Sequence, residues 1–182
     1  AVSMSPYADL WFVGTDMGTL FKSTDLGKSW NAINHLQAVF DSDLTRAVSV
    51  GFSADGVTVF HAAAGINPKR STDAGETFTA INMGLASGEV IKYFYSDSSN
   101  ANIMYAGTTK GLLRTTNKGT SWTRVNAEEA VGTFIDHNTN GKVYHATKTK
   151  VLVSNDDGVS FSTYYTPSAG SVRLFTGGSD AS

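Results

Sequence analysis

The sequence predicts an all-β protein built from repeated four-stranded units. The first observation is a short motif, Ser/Thr-x-Asp/Asn-x-Gly-x-Ser/Thr followed by an aromatic residue, which occurs four times in 182 residues. Its acidic or amide position recurs after 48, 44 and 39 residues, at Asp25, Asp73, Asn117 and Asp156. The second observation is that short strand patterns, separated by turn residues, fill the sequence between the motifs. Repeats of this length, made of short strands, favour a β-propeller with four-stranded antiparallel blades.

Each copy of the motif is predicted to be a structural turn. A side-chain oxygen of Asp or Asn can accept hydrogen bonds from backbone N–H groups just beyond it, and this closes a turn. The glycine two positions later can adopt a positive φ without a Cβ clash, and the aromatic residue anchors the next strand between packed layers. We therefore expect Asp25, Asp73, Asn117 and Asp156 to be structural and not catalytic.

Aligning the four copies indicates the strands of each blade. Innermost strands open at residues 1–4 and 47–50, which share the pattern Ala-Val-Ser. The second strands carry an aromatic-x-Gly/Ala signature, the third lead into the motif and the fourth leave it. The second strands are 12–14, 60–62, 105–107 and 144–146; the third are 20–22, 112–114 and 151–153; the fourth are 30–33, 78–81, 122–125 and 161–165. No helix is predicted.

The alignment places four blades in one domain, at about residues 1–40, 46–83, 90–126 and 131–165. Residues 171–182 are predicted to begin a fifth blade, with a strand over 171–176. Closed propellers typically have four to eight blades, and an unfinished blade leaves an unpaired strand edge. We expect the chain to be part of a larger propeller, seven-bladed as the best estimate, whose remainder is a partner within the same chain or a second one.

Composition bounds the function. Only 16% of the residues are charged and the net charge is −2, so nothing favours binding to nucleic acid or to an anionic membrane. No apolar run approaches the roughly 20 residues of a spanning helix. There is no cysteine, hence no disulfide framework and no thiolate metal site. No cofactor is predicted, with a structural divalent cation left open, and the start in a strand pattern suggests a processed, secreted or periplasmic protein.

The four motifs resemble the Asp-box, or BNR repeat, of sialidases, propeller xyloglucanases, several polysaccharide lyases and sortilin-like receptors. Only Asn117 departs from the pattern. The resemblance implies that the motif joins the third and fourth strands of a blade, and that function lies on the opposite face. Residues 14–25, followed by Trp30 and Ile33-Asn34-His35, also resemble propeller polysaccharide lyases of the ulvan lyase type. That likeness implies β-elimination beside a uronic acid.

Two candidate catalytic residues follow from this reading. His35 lies on the longest loop between blades, residues 34–45, and has the residue type of a general base. Tyr93 lies near the start of an innermost strand, where a neighbouring cation would lower the pKa of its hydroxyl. Innermost strands are expected to line the channel, so that alternate side chains point into it.

Candidate substrate-binding residues share the same predicted rim. Arg46, Lys92 and Arg173 lie near the starts of innermost strands and would neutralise a carboxylate. His61 is expected near the functional end of a second strand. Asp16, within Gly14–Gly18, resembles one of the two facing carboxylates of a xyloglucanase-type hydrolase. No metal-ligand spacing is present.

Three functions stay open at this point. The favoured one is a secreted carbohydrate-active propeller, a polysaccharide lyase that cleaves a uronic-acid-containing polysaccharide. The alternatives are a glycoside hydrolase of the Asp-box xyloglucanase type and a non-enzymatic binding propeller, either sortilin-like or an assembly factor. Sialidase activity is disfavoured because the Arg-Ile-Pro signature of that family is absent.

Overall fold

A computed structural model describes residues 2–4, 9–15, 20–33 and 48–177. Within these ranges the chain forms strands only, arranged as four antiparallel four-stranded sheets. The first sheet contains β1 (Val2–Met4), β2 (Trp11–Gly14), β3 (Leu20–Ser23) and β4 (Asn31–Ile33). The second contains β5 (Val48–Phe52), β6 (Val59–Ala63), β7 (Ile66–Ser71) and β8 (Thr79–Ala80). The third contains β9 (Ile91–Ser96), β10 (Met104–Thr108), β11 (Gly111–Thr115) and β12 (Thr123–Asn126). The fourth contains β13 (Ala130–Ile135), β14 (Val143–Thr147), β15 (Val151–Ser154) and β16 (Ser162–Tyr165).

The sheets are successive blades. In each one the four strands pair in chain order, so every sheet is a simple meander. The first strands also lie beside one another: β1 contacts β5, β5 contacts β9 and β9 contacts β13. First strands that meet in series are the innermost strands of propeller blades. The predicted all-β propeller architecture with four-stranded antiparallel blades is confirmed.

The hydrophobic core lies between the blades. One cluster joins Phe12 of the first blade to Val50 and Phe52 of the second, and another joins Ala62 of the second to Ile91 of the third. Both faces of an inner blade are therefore buried, which explains why several second and third strands are buried at nearly every position. Burial of a single large apolar side chain stabilises the fold by about 1.5–3 kcal/mol.

The motif turns share one hydrogen-bond pattern. In the second blade, the Ser71 hydroxyl donates to Asp73 Oδ1 at 2.6 Å and accepts from the Gly75 N–H at 2.8 Å. Asp73 Oδ1 accepts from the Thr77 N–H at 2.9 Å, and Oδ2 accepts from the Thr77 hydroxyl at 2.5 Å. Bonds from Ser71 and Thr77 hold the pKa of Asp73 well below its usual range. The same pattern recurs around Asp25, Asn117 and Asp156.

The backbone of these turns has one feature beyond the prediction. A positive φ was expected at the glycine, and the residue before it is also left-handed in every copy. The φ angles are 61° at Leu26, 57° at Ala74, 54° at Lys118 and 55° at Asp157. Two successive left-handed residues are needed to redirect the chain from the third strand into the fourth, and the side-chain bonds of the motif hold them there.

Residues 171–177 do not form the strand that was predicted to open a fifth blade. A strand requires a ladder, and in the described part of the chain no strand pairs with this segment. The segment is nevertheless fixed against the fourth blade. The Val172 N–H donates to the carbonyl oxygen of Lys148 at 2.8 Å, and Phe175 packs over Gly132, where an added Cβ would lie 2.7 Å from the Phe175 oxygen.

Candidate functional site

Charged side chains from the third and fourth blades gather on the face opposite the motif turns. The antiparallel pairing brings three kinds of segment to this face: the starts of innermost strands, the loops between second and third strands, and the loops between blades. Lys92 comes from β9, Glu129 from the loop between the third and fourth blades, and Lys148 from the loop between β14 and β15. The motif turns close the other face.

A β-bulge aims Lys92. In the β9–β10 ladder Tyr93 pairs with Gly107 and Ile91 pairs with Thr108, so Lys92 is the extra residue. A bulge bends the strand and redirects one side chain. The Lys92 ammonium reaches the next blade, where it donates to the carbonyl oxygen of Ala130 at 2.6 Å. The inner strand β13 repeats the device, with Val131 as its extra residue.

Glu129 joins two lysines across the blade boundary. Its carboxylate lies 3.1 Å from the ammonium of Lys92 and 2.5 Å from that of Lys148. Hydrogen bonds from Lys148 and then Lys92 lower the pKa of Glu129. All three side chains are partly exposed, so these ion pairs are weak and exchange with water and solutes.

Arg173 completes a basic depression. We use that name for the open cavity of about 520 Å³ lined by Lys92, Val131, Lys148, Ser171, Val172 and Arg173. Arg173 is exposed, and its position is set by the bond from the Val172 N–H to Lys148. Three cations line this depression, and Glu129 pairs with two of them, Lys92 and Lys148. A concave site with excess positive charge concentrates anions from solution.

A buried acidic residue stiffens the adjoining rim. Glu89 is bound by Arg124 through both carboxylate oxygens at 2.8 Å, and it also accepts from the Thr108 hydroxyl and the Ala86 N–H. Burial acts to raise the pKa of Glu89, but these hydrogen bonds outweigh it and the pKa is lowered. Arg124 in turn donates to the carbonyl oxygen of Lys110 at 2.8 Å. The loop between the second and third blades and the loop between β10 and β11 are therefore held around one ionised carboxylate.

Tyr93 was predicted to point into the channel, but its side chain lies between two blades. Its hydroxyl is 3.0 Å from the Thr133 hydroxyl of the next blade, whereas the following side chain, Phe94, packs toward Gly51 of the preceding blade. The faces of a blade meet its neighbours, and only the strand edge meets the channel. Burial raises the pKa of Tyr93 to about 12, opposite to the predicted lowering, so its hydroxyl stays protonated at neutral pH.

His61 is also placed differently from the prediction. It is 2% exposed within β6, because second strands are covered by blades on both sides. A polymer in solution cannot touch a side chain buried in this way. His145 occupies the equivalent position of β14 at 0% exposure, and its Nδ1 lies 3.3 Å from the Thr133 hydroxyl. Burial lowers the pKa of each imidazole to about 4, with Lys69 adding to the effect at His61.

The other residues chosen from the sequence lie either outside the described residues or at the basic depression. His35, Arg46 and Asp16 lie outside the described residues. Among the residues chosen from sequence, the structure brings Lys92 and Arg173 together at the basic depression. Sequence reasoning missed Glu129 and Lys148. The signal available for Lys148 was the Thr-Lys-Thr-Lys run at 147–150, which places two cations on one loop of the functional face.

No group of three or more His, Asp or Glu side chains among the described residues is arranged to hold a metal ion. Nor is any helix there long and apolar enough to cross a bilayer.

Comparison with known proteins supports the fold. No protein-family model matches the chain, and no curated protein matches it. Among solved structures, a GH74 enzyme from Niastella koreensis is 26% identical over 86% of the chain, with a TM-score of 0.63. A GH74 xyloglucanase from Xanthomonas campestris is 19% identical over 89%, with a TM-score of 0.65. YCF48 bound to D1 peptide is 14% identical over 90%, with a TM-score of 0.62.

The chain spans only part of each of these proteins: 23% of the Niastella enzyme, 29% of the Xanthomonas enzyme and 53% of YCF48. The latter two likenesses concern the fold alone. Four described sheets and these partial matches together identify the chain as a portion of a β-propeller.

Proposed function

We propose that this chain belongs to a secreted or periplasmic carbohydrate-active propeller that binds an acidic polysaccharide at the basic depression. The observation that carries the proposal is the convergence of Lys92, Lys148 and Arg173 on one concavity opposite the motif turns. Similarity to a GH74 enzyme supports the carbohydrate class. Uronic acid carboxylates are anionic groups of polysaccharides that ammonium and guanidinium side chains recognise.

The reaction we favour is β-elimination. A cation neutralises the uronate carboxylate, which makes the C5 proton acidic enough for a base to remove. The electron pair of the C5–H bond forms a C4–C5 double bond, and the C4–O bond to the leaving sugar breaks. Lys92, Lys148 and Arg173 would neutralise the carboxylate. His35 is the proposed base. Water supplies the proton to the departing sugar oxygen, because the hydroxyl of Tyr93 is held between blades at Thr133.

The test is an assay of the intact protein on a panel of uronate-containing and neutral polysaccharides. Lyase activity produces an unsaturated uronate that absorbs ultraviolet light, together with new reducing ends. Loss of product in His35→Ala, with an unchanged melting temperature, would support the assignment of the base. New reducing ends without ultraviolet absorbance would refute elimination.

A glycoside hydrolase is the second candidate, favoured by the 26% identity to the GH74 enzyme. Hydrolysis requires two carboxylates facing each other across the glycosidic bond, one as general acid and one as base or nucleophile. Asp16 is the proposed residue of this chain in that pair. In this case neutral glucans are cleaved, and Asp16→Asn abolishes the release of reducing ends. Binding of a polysaccharide with no product of either kind would identify a non-enzymatic module.

A further inference from the structure

The carboxylate of Glu129 is paired with cations of the basic depression. It engages Lys92 and Lys148, two of the three cations that line the cavity. A carboxylate of the chain therefore makes the contacts that a carboxylate of a ligand would need. Arg173 is the third cation and is exposed at the edge of the same cavity.

We propose that Glu129 is an internal competitor that a ligand carboxylate displaces, and that it thereby sets the affinity and selectivity of the site. This inference rests on the proposed binding of acidic polysaccharide. A neutral ligand gains nothing from displacing Glu129, because it offers no charge to the two lysines. A ligand carboxylate replaces one set of ion pairs by another and also gains Arg173, so anionic ligands are selected.

Contacts other than those with Glu129 hold the side chain of Lys92 and the backbone of Lys148. Lys92 is aimed by the bulge in β9 and donates to the Ala130 carbonyl oxygen at 2.6 Å. The backbone of Lys148 is fixed by the bond from the Val172 N–H, and its loop is closed by the bond from the Thr147 N–H to Lys150. Departure of the Glu129 carboxylate thus leaves Lys92 oriented and the backbone of Lys148 anchored, and preorganisation of this kind favours binding.

The neighbouring acidic residue provides a matched control. Glu128 lies one position earlier in the same loop, and its carboxylate pairs with Lys150 at 2.6 Å and accepts from the Thr149 hydroxyl. Its partner Lys150 is not among the residues that line the basic depression, whereas both partners of Glu129 are. Glu128→Gln and Glu129→Gln remove the same charge from adjacent positions, so any effect of overall charge is shared by the two variants.

The experiment measures binding of trigalacturonate and of the neutral trisaccharide cellotriose to the intact wild-type protein and to both variants by calorimetry. Glu129→Gln is expected to bind trigalacturonate about three- to tenfold more tightly, since two partly exposed ion pairs no longer have to break. Glu128→Gln should change that affinity by less than about twofold. Adding Lys148→Met to Glu129→Gln should remove the gain in affinity. A disrupted loop would not explain the gain of the single variant, because disruption would weaken binding.

Two outcomes would overturn the inference in different ways. If wild-type protein binds trigalacturonate and Glu129→Gln binds it no more tightly, Glu129 is not a competitor, while the proposed function stands. If neither protein binds trigalacturonate, both the competitor role and the acidic-ligand function are wrong, and binding of cellotriose would identify a neutral-sugar site. An equal gain in Glu128→Gln would attribute the effect to overall charge and also reject the inference.

Discussion

At the scale of single residues, the motif turn has a left-handed backbone at two successive positions, and only the second of them is glycine. The residue before the glycine is left-handed without being glycine, and Ala74 shows this at φ 57°. A left-handed conformation costs an ordinary residue about 1–2 kcal/mol, whereas glycine adopts it freely. The side-chain bonds of Ser71 and Asp73 offset that cost in the folded protein.

Replacing Ala74 by glycine should therefore cost less than a glycine substitution normally does. The relief of left-handed strain offsets the extra entropy of glycine in the unfolded chain and the loss of a half-buried methyl group that packs against the core, so we expect a net change of less than about 0.5 kcal/mol. Urea unfolding monitored by tryptophan fluorescence measures it. Ala80→Gly is the control, because Ala80 is an exposed strand residue and loses about 0.5–1 kcal/mol. A loss of stability in Ala74→Gly equal to that of the control would contradict the strain argument.

The turn glycine Gly75 is constrained by packing as well as by its positive φ, whereas Gly84 is constrained by its positive φ alone. A Cβ added to Gly75 would collide with the ring of Phe12 in the preceding blade, whereas one added to Gly84 would meet nothing within 4 Å. Both glycines have positive φ, at 82° and 69°. The pair therefore separates backbone strain from packing.

We expect Gly84→Ala to cost about 1–2 kcal/mol through strain alone, and Gly75→Ala to cost about 2–5 kcal/mol because overpacking is added. Equilibrium denaturation of both variants gives the difference. Equal losses would show that the contact with Phe12 has no energetic weight.

At the scale of elements, the second strand is the seam between blades. Its aromatic residue is fully buried in the first three blades, at Phe12, Phe60 and Tyr105. The turn glycine of the following blade lies on each of them: Gly75 on Phe12, Gly119 on Phe60 and Gly158 on Tyr105. The motif thus links the blade that contains it to the one before it.

The next position along these strands introduces two histidines into the seam. His61 and His145 each bury a ring nitrogen, Nε2, that has no hydrogen-bond partner among the described residues. Their pKa falls from 6.5 to about 4 because burial penalises the charged form. The unfolded state binds the proton more tightly than the folded state. Stability is therefore complete above pH 6.5, declines as the pH falls below it, and stops declining near pH 4.

Substituting both histidines should flatten this dependence. The equivalent positions in the other blades suggest the replacements: His61→Val follows Val13, and His145→Ala follows Ala106. Wild-type protein should lose roughly 1–2 kcal/mol per histidine between pH 7 and pH 5. The double variant should lose much less, whatever its stability at pH 7. Urea midpoints at the two pH values decide, and an unchanged loss in the double variant would assign the acid sensitivity elsewhere.

Features that depend on residues close in sequence were predictable, whereas features that depend on contacts between strands or blades were not. The turn at Asp73 was predictable because all its hydrogen bonds lie within seven residues of sequence. The bulge that aims Lys92 was not, because it depends on the register between β9 and β10. The predicted orientation of Tyr93 was wrong for a related reason. The neighbour that a side chain faces depends on how the blades pack, and the sequence pattern of a single strand does not encode this packing.

At the scale of the whole molecule, the two faces of the propeller carry different chemistry. The motif turns present short, internally bonded loops with carboxylates that accept hydrogen bonds from their own turn. The opposite face carries Lys92, Lys148 and Arg173 around one concavity. The chain has a net charge of −2 as a whole, so this local excess of positive charge runs against the average. Anion binding should accordingly depend on the face and not on overall charge.

A face-specific substitution tests this directly. Removing the three cations together, by Lys92→Met, Lys148→Met and Arg173→Met, should weaken binding of a uronate polymer to the intact protein by at least about tenfold at low salt. Raising the ionic strength to about 0.5 M should weaken wild-type binding and leave the triple variant nearly unaffected, because partly exposed charges are screened over less than 10 Å.

Lys28→Met supplies the control, because Lys28 is an exposed cation of the first motif turn on the other face. It changes the overall charge in the same direction as each of the three substitutions but lies far from the basic depression in the fold. Its affinity and salt dependence should match those of wild type. If Lys28→Met, which removes one positive charge, instead weakened binding by about a third of the free energy lost in the triple variant, the polymer would be attracted by the charge of the whole molecule. The basic depression would then be only one contributor among many.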